Sequence, residues 1–205
     1  MEILNSTLIE HLLSSQSFSL ELGCGPNTRT LTDNTYTVDI GRFPGVDIVA
    51  DLNQPLDLIP DAIVSRVYSR HTLEHVANLT NLMEELHRIL KGDGTMQIIV
   101  PHFSNTYGHW DPTHVRQFGV GSMYYFCKTE NQPSRKVPCF YSRACFNVKK
   151  IKLRFYRDDW LDRLLAPVLE KIVNKNYSFQ VFYERHFSYL FPAWEIEFLM
   201  QNDKS

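Results

Sequence analysis

Within the segment PHFSNTYGHWDPTHVRQF, His102, His109, Asp111 and His114 fall inside thirteen residues. An imidazole ordinarily titrates at about pH 6.5, so a histidine here suits the task of accepting a hydroxyl proton at neutral pH. His109 and His114 are the favoured acceptors, with Asp111 placed to orient one ring in the productive tautomer. His102 follows Pro101 directly and belongs to a strand end, where it could line a ligand pocket. Two histidines and a carboxylate also match a metal donor set. To form it, His109, Asp111 and His114 would have to fold back within one tight loop, so no metal is expected. A structural reading stands beside both. Asp111-Pro112-Thr113 makes a turn and cap, and His114 packs beneath it. Tyr107 is a further group that could take the proton if no histidine does.

A second stretch, SLELGCGPN, ends a short apolar run in Glu21 and then Gly23-Cys24-Gly25. Two glycines without β-carbons allow positive φ and a close approach of backbone to ligand. A dinucleotide fingerprint would continue to a third glycine, whereas Pro26, Asn27 and Thr28 follow here. The match to a phosphate-gripping loop is poor. Glu21, immediately before the glycines, suits a ligand bearing an ammonium group.

These residues need elements to position them, and the hydrophobic pattern supplies them. Leu8, Ile9, Leu12 and Leu13 predict a short amphipathic helix. Phe18–Leu22, Tyr36–Ile40, Val46–Leu52 and Ile63–Ser69 predict four strands. Leu79, Leu82, Met83, Leu86, Ile89 and Leu90 recur on one helical face, capped by Asn78 or Thr80 and ended by Gly92. TMQIIVP gives a fifth strand closed by Pro101. Strands alternating with helices predict an α/β fold, doubly wound, with a mostly parallel sheet and helices on both faces. In such sheets the ligand lies beyond the carboxyl ends of the strands. The glycine turn after the first strand belongs there.

Further along, NVKKIKLRFYR alternates apolar and basic residues as a half-buried strand does. Its basic face is either solvated or an attractor of a phosphorylated acceptor or RNA. Trp160–Val173 carries an apolar helical stripe with Pro167 expected to bend it, and core packing is its expected use. A membrane-surface role is the alternative. The ending predicts a helix, a break at Pro192 and a last strand.

At 205 residues and 43% hydrophobic content, the chain is read as one domain, 1–205, with 102–144 as an acceptor-binding insertion or lid. The formal net charge of -2 argues against a general nucleic-acid binder, so no DNA is expected and RNA is disfavoured. Charge is nonetheless uneven. Residues 1–60 carry eight acids against Arg29 and Arg42, and residues 128–157 carry nine basic residues against Glu130. Four cysteines form no CxxC pair and follow no secretory signal, which predicts reduced thiols and a cytoplasmic location. No apolar run reaches membrane-spanning length.

ELGCGPN, the acids of YTVDI and VADL, the LEH of SRHTLEHV and the turn of ILKGDGTMQIIVP occur in one order across residues 15–101. Together they resemble the class I S-adenosylmethionine-dependent methyltransferases, in particular the small bacterial type 11 group. Asn27 and Gly92-Asp93 depart mildly from that pattern. The resemblance implies a seven-stranded Rossmann-like sheet and S-adenosylmethionine as cofactor. It places Glu21, Gly23, Cys24 and Gly25 around the methionine part, Asp39 with Ile40 at the ribose, and Asp51 with Leu52 at the adenine. His71 would touch cofactor or substrate, and His75, read at a helix start, is structural. Taken singly, Asp39 and Asp51 could instead cap helices. The implied activity is methylation of a small-molecule or glycan-type acceptor, most plausibly at oxygen. Methylation of RNA or protein, or a non-catalytic cofactor-binding subunit, are the alternatives. A homodimer is compatible with the sequence.

Overall fold

The computed structural model describes residues 1–26 and 34–204, so Asn27 and Thr28 of the glycine-turn reading lie outside the described residues. In chain order the elements are β1 (Glu2–Ile3), α1 (Ser6–Leu13), β2 (Phe18–Leu22), β3 (Thr35–Asp39), β4 (Ile48–Val49), β5 (Val64–Arg70), α2 (Leu79–Ile89) and β6 (Leu90–Pro101). β7 (Phe146–Phe155), α3 (Trp160–Val173), α4 (Tyr177–His186) and β8 (Ala193–Asn202) follow a stretch whose only helical pieces are three short 3-10 turns. All strands join one sheet in the order β1-β4-β3-β2-β5-β6-β8-β7. β2, β3, β4, β5 and β6 pair in parallel, while β1, β7 and β8 add antiparallel edges.

The strand order runs outward from β2 to both sides, which makes the end of β2 the switch point of the doubly wound sheet. The eighth strand beyond the expected seven is β1, two residues paired to β4 and extended by the Leu4 N–H donating to the Asp47 carbonyl at 2.7 Å. Two residues carry no readable periodicity. β4 is far shorter than Val46–Leu52, because the Asp47 carboxylate itself accepts the Thr37 N–H at 2.8 Å and replaces a ladder bond.

α2 buries Leu79, Leu82, Met83, Leu86 and Ile89, and the Asn78 side chain caps its start. It ends at Ile89 rather than at Gly92. The buried Asn202 side chain of β8 donates to the carbonyls of His87, Leu90 and Lys91 at 3.0–3.1 Å, so the helix end is satisfied without a glycine. LEH is a 3-10 turn, Leu73–His75, and does not open a helix. α3 continues through Pro167. Only Ala166 and Val173 of its apolar positions are fully buried, whereas Trp160, Leu164, Val168 and Ile172 face outward. Core packing therefore accounts for one side of the stripe. The basic face of β7 is partly neutralised, since Arg154 pairs with Glu197 at 2.6 Å and approaches Glu195 at 3.5 Å across the β7–β8 ladder. No described helix is long and apolar enough to cross a membrane.

Candidate active site

At the end of β2 the chain turns through Gly23 (φ 67°) and Gly25 (φ 64°), both in the left-handed region. The two glycines serve different ends. A β-carbon on Gly23 would stand 2.1 Å from Thr72 Oγ1, whose hydroxyl donates to the Leu22 carbonyl at 3.0 Å. At Gly25 a β-carbon would meet no atom within 4 Å among the described residues, so that position opens on the cleft. Gly23 serves the packing of the turn, and Gly25 bounds the space for a ligand.

Asp39 ends β3 and ties this turn to its own. Its Oδ2 accepts the Gly25 N–H and its Oδ1 the Gly41 N–H, each at 2.8 Å. Asp51 accepts the backbone and side-chain N–H groups of Asn53 at 2.9 Å, closing the turn after β4. Gly23, Gly25, Asp39, Ile40, Asp51, Leu52 and His71 line one cleft of about 260 Å³, together with Thr72, His75 and Val76. Ile40 leaves 72% of its surface open at the mouth. Carboxylates beside exposed apolar walls suit a ligand that joins hydroxyl groups to a flat apolar ring, which is the chemistry of an adenosine. Glu21 and Cys24 stand outside that lining. Glu21 is buried within β2, and Cys24 directs its thiol to Thr37. Burial, and then the Asp39 charge, push the Cys24 thiol up to about 11, so it stays protonated at neutral pH.

His71 sits at the end of β5 with φ 52°, a strained conformation for a residue with a side chain. Its Nε2 lies 3.2 Å from Glu195 and its Nδ1 3.4 Å from Glu74. Burial alone would lower its pKa, but the hydrogen bonds it donates to Glu195 and Glu74 outweigh it and raise the group to about 9. His71 is therefore an imidazolium in the cleft wall.

The loop after β6 forms a second cavity of about 370 Å³, lined by His109, Asp111 and His114 along with His102, Asn105, Arg116 and Gln117. The four groups differ in what holds them. His102 is buried, with Nδ1 bonded by Ser104 and Nε2 3.1 Å from Glu184, so both ring nitrogens are occupied. It lines this cavity and not the cleft. His109 Nε2 lies 3.1 Å from the Phe103 carbonyl, which can only accept, so this nitrogen carries the hydrogen and Nδ1 keeps its lone pair. Gln117 reaches that Nδ1 only at 3.4 Å. Asp111 Oδ1 accepts the Thr113 N–H at 2.8 Å and the Thr113 hydroxyl, the turn foreseen as the structural reading. His114 packs edge-on to His75 with ring centroids 4.7 Å apart, its Nε2 3.7 Å from Asp111 and 4.0 Å from Glu74.

Residues 20–98 match the family model described as a methyltransferase domain. Over that segment, about two fifths of the chain, it is similar to the type 11 methyltransferase domains. Solved structures share the fold at low identity. A methyltransferase from Archaeoglobus fulgidus is 16% identical, covering 96% of this chain and 90% of its own, with a TM-score of 0.59. A candidate methyltransferase from Bacillus halodurans is 14% identical over 98% of this chain and all of its own, at 0.53. The [4+2]-cyclase SpnF, 14% identical over 97% of this chain and 79% of its own at 0.55, places the same fold on another reaction. No curated relative matches the chain.

The cleft and the second cavity contain groups that motif reading passes over. Thr72 explains Gly23. Glu195 and Glu184 come from the last strand and last helix to hold His71 and His102. Glu74 was visible only as the middle letter of LEH, and the one hint at Glu195 was its alternation with Glu197 opposite the basic residues of β7.

Replacing Gly25 by alanine tests the cleft. The left-handed φ costs about 1–2 kcal/mol of stability, with no protein atom in the way. Calorimetry should then find S-adenosylmethionine affinity reduced at least about tenfold in a folded variant. Unchanged affinity would make the turn merely structural.

Proposed function

We propose that this methyltransferase transfers a methyl group to a hydroxyl of a small-molecule or glycan-type acceptor. In this reading Asp39 and Asp51 hold the ribose and adenine side of S-adenosylmethionine, and Gly25 and the β2 end cradle its methionine part. When bound, the cofactor supplies a methyl group on a sulfonium that carries its own leaving group. The protein's share is to bring the acceptor oxygen into line, keep water out and remove one proton.

The observation that carries the reading is His109. Its tautomer is set by the Phe103 carbonyl, and its Nδ1 lone pair stands in a cavity rimmed by hydrogen-bonding groups, Asn105, Arg116 and Gln117. That combination suits an acceptor with several hydroxyls, one of which gives its proton to Nδ1. Tyr107 packs on Trp110 with ring centroids 4.8 Å apart, and Trp110 is largely exposed. Aromatic faces of this kind suit the apolar face of a sugar ring. An RNA acceptor is less well served, because Arg154 of the basic strand that would favour it is paired to Glu195 and Glu197.

The test is a methyl-transfer screen with labelled S-adenosylmethionine over nucleotide sugars, free and linked glycans, small phenols and alcohols, and RNA. Label should appear on oxygen in a saccharide or small-molecule pool. Transfer confined to RNA or protein would replace this reading.

A further inference from the structure

Glu74 is 1% exposed, its Oε1 meets His71 Nδ1 only at a long 3.4 Å, and its Oε2 has no hydrogen-bond partner among the described residues. Its nearest cationic groups are His71 Nδ1 at 3.4 Å and His114 Nε2 at 4.0 Å, the second too far for a hydrogen bond. A buried carboxylate is costly unless positive charge completes its surroundings, and the one long contact with His71 leaves Oε2 unmet. What faces it is a pair of imidazoles. One donor atom from each of Glu74, His75 and His114 lies within 4.8 Å of the others.

The surrounding chain is built to keep these three together. The His114 loop is fastened to the LEH turn by the Val115 N–H donating to the Glu74 carbonyl at 2.9 Å, and by Arg116 donating to the carbonyls of Val76 and Ala77 at 2.6 and 2.7 Å. Thr113 Oγ lies 2.8 Å from His75 Nδ1 while its own hydroxyl donates to Asp111. With the Thr113 proton committed to Asp111, His75 Nδ1–H is the donor to Thr113, and the His75 Nε2 lone pair is free. Outer groups that fix an imidazole tautomer in this way are the usual support of a metal-ligating histidine.

We propose that Glu74, His75 and His114 hold a divalent first-row transition cation at the junction of the cleft and the second cavity. Two imidazoles and one carboxylate select zinc, cobalt, iron or manganese over magnesium or calcium, which favour all-oxygen sites. Ligand bonds of about 2.1 Å require the donors to draw together by roughly an ångström, within reach of small side-chain rotations of the two histidines. Asp111 belongs to the support and not to the ligands, because Thr113 occupies its Oδ1. His75 lines the cleft and His114 lines the cavity, so the cation stands between cofactor and acceptor. Its role there, which rests on the hydroxyl-acceptor reading, is to polarise the acceptor oxygen so that its proton leaves for His109.

Protein stripped by chelator and dialysed is titrated with Co²⁺, without cofactor or acceptor, and followed by visible absorption and calorimetry. One equivalent should bind with the absorption of a nitrogen- and oxygen-ligated ion. Glu74→Gln, nearly isosteric, and His114→Ala should each lower affinity about a hundredfold or more, since even supporting residues cost ten- to a hundredfold. His186→Ala, on the exposed end of α4, should bind as wild type. Wild-type binding no tighter than that of the Glu74→Gln/His114→Ala double variant overturns the site, as does a folded Glu74→Gln that binds Co²⁺ normally. Because the titration uses no acceptor, a positive result stands even if the acceptor proves not to be a hydroxyl. A negative one leaves the methyl-transfer screen to decide that question alone.

Discussion

Asp39→Ala is expected to weaken S-adenosylmethionine binding by about 2–4 kcal/mol, read by calorimetry on protein whose circular dichroism matches wild type. Hydrogen bonds to a charged carboxylate contribute roughly 1.5–3 kcal/mol each, and a ribose presents two hydroxyls to such a group. A second contribution has the same sign. The Asp39 carboxylate accepts the N–H groups of Gly25 and Gly41, so alanine also releases the two turns that bound the cleft. Asp39→Asn separates the effects. The amide keeps one oxygen for a backbone N–H but loses the charge, so its deficit should lie between wild type and alanine. Unchanged affinity in a folded Asp39→Ala protein would remove Asp39 from the cofactor site.

What could be read from the sequence was what is local. β2 and β6 are apolar runs closed by a glycine turn and a proline, and the face of α2 repeats at helical spacing, so each announces itself within a dozen residues. The acids at successive strand ends could be placed for the same reason, because the end of a parallel strand is where a ligand is met. Pairings across the fold could not. His71 and Glu195 are 124 residues apart and meet only because β8 inserts beside β6. His102 finds Glu184 across 82 residues, and α2 ends on Asn202 rather than on its own glycine. Periodicity also says which residues share a helix face, but not how wide a surface packs on it. That is why the apolar stripe of α3 proved half outward. The His102–His114 loop is a different case. Its four groups line one cavity, but the loop also docks on the LEH turn, so His114 packs against His75 and faces Glu74, a contact that the spacing does not announce.

His109→Ala is expected to lower turnover about a hundredfold to ten-thousandfold while S-adenosylmethionine affinity stays nearly constant, since a general base acts on the transition state and typically supplies that much. The three histidines of the loop differ in fitness for the role. His102 has both nitrogens engaged inside the protein, so His102→Ala should cost stability before it costs chemistry. His114 packs edge-on to His75 and is turned toward the buried Glu74, 4.0 Å away. His109 alone combines an N–H fixed by a carbonyl with a lone pair held by nothing shorter than 3.4 Å. The alanine variant should therefore lose kcat and kcat/KM together, the mark of an interaction made only in the transition state. His109→Gln refines the result. Its amide can still donate to Phe103 and hold the loop, but its oxygen is a very weak base, so activity should stay low while folding and acceptor binding recover. Full turnover in His109→Gln would show that the ring serves only to hold the loop, and the proton would then leave by another route, with Tyr107 the next group to remove.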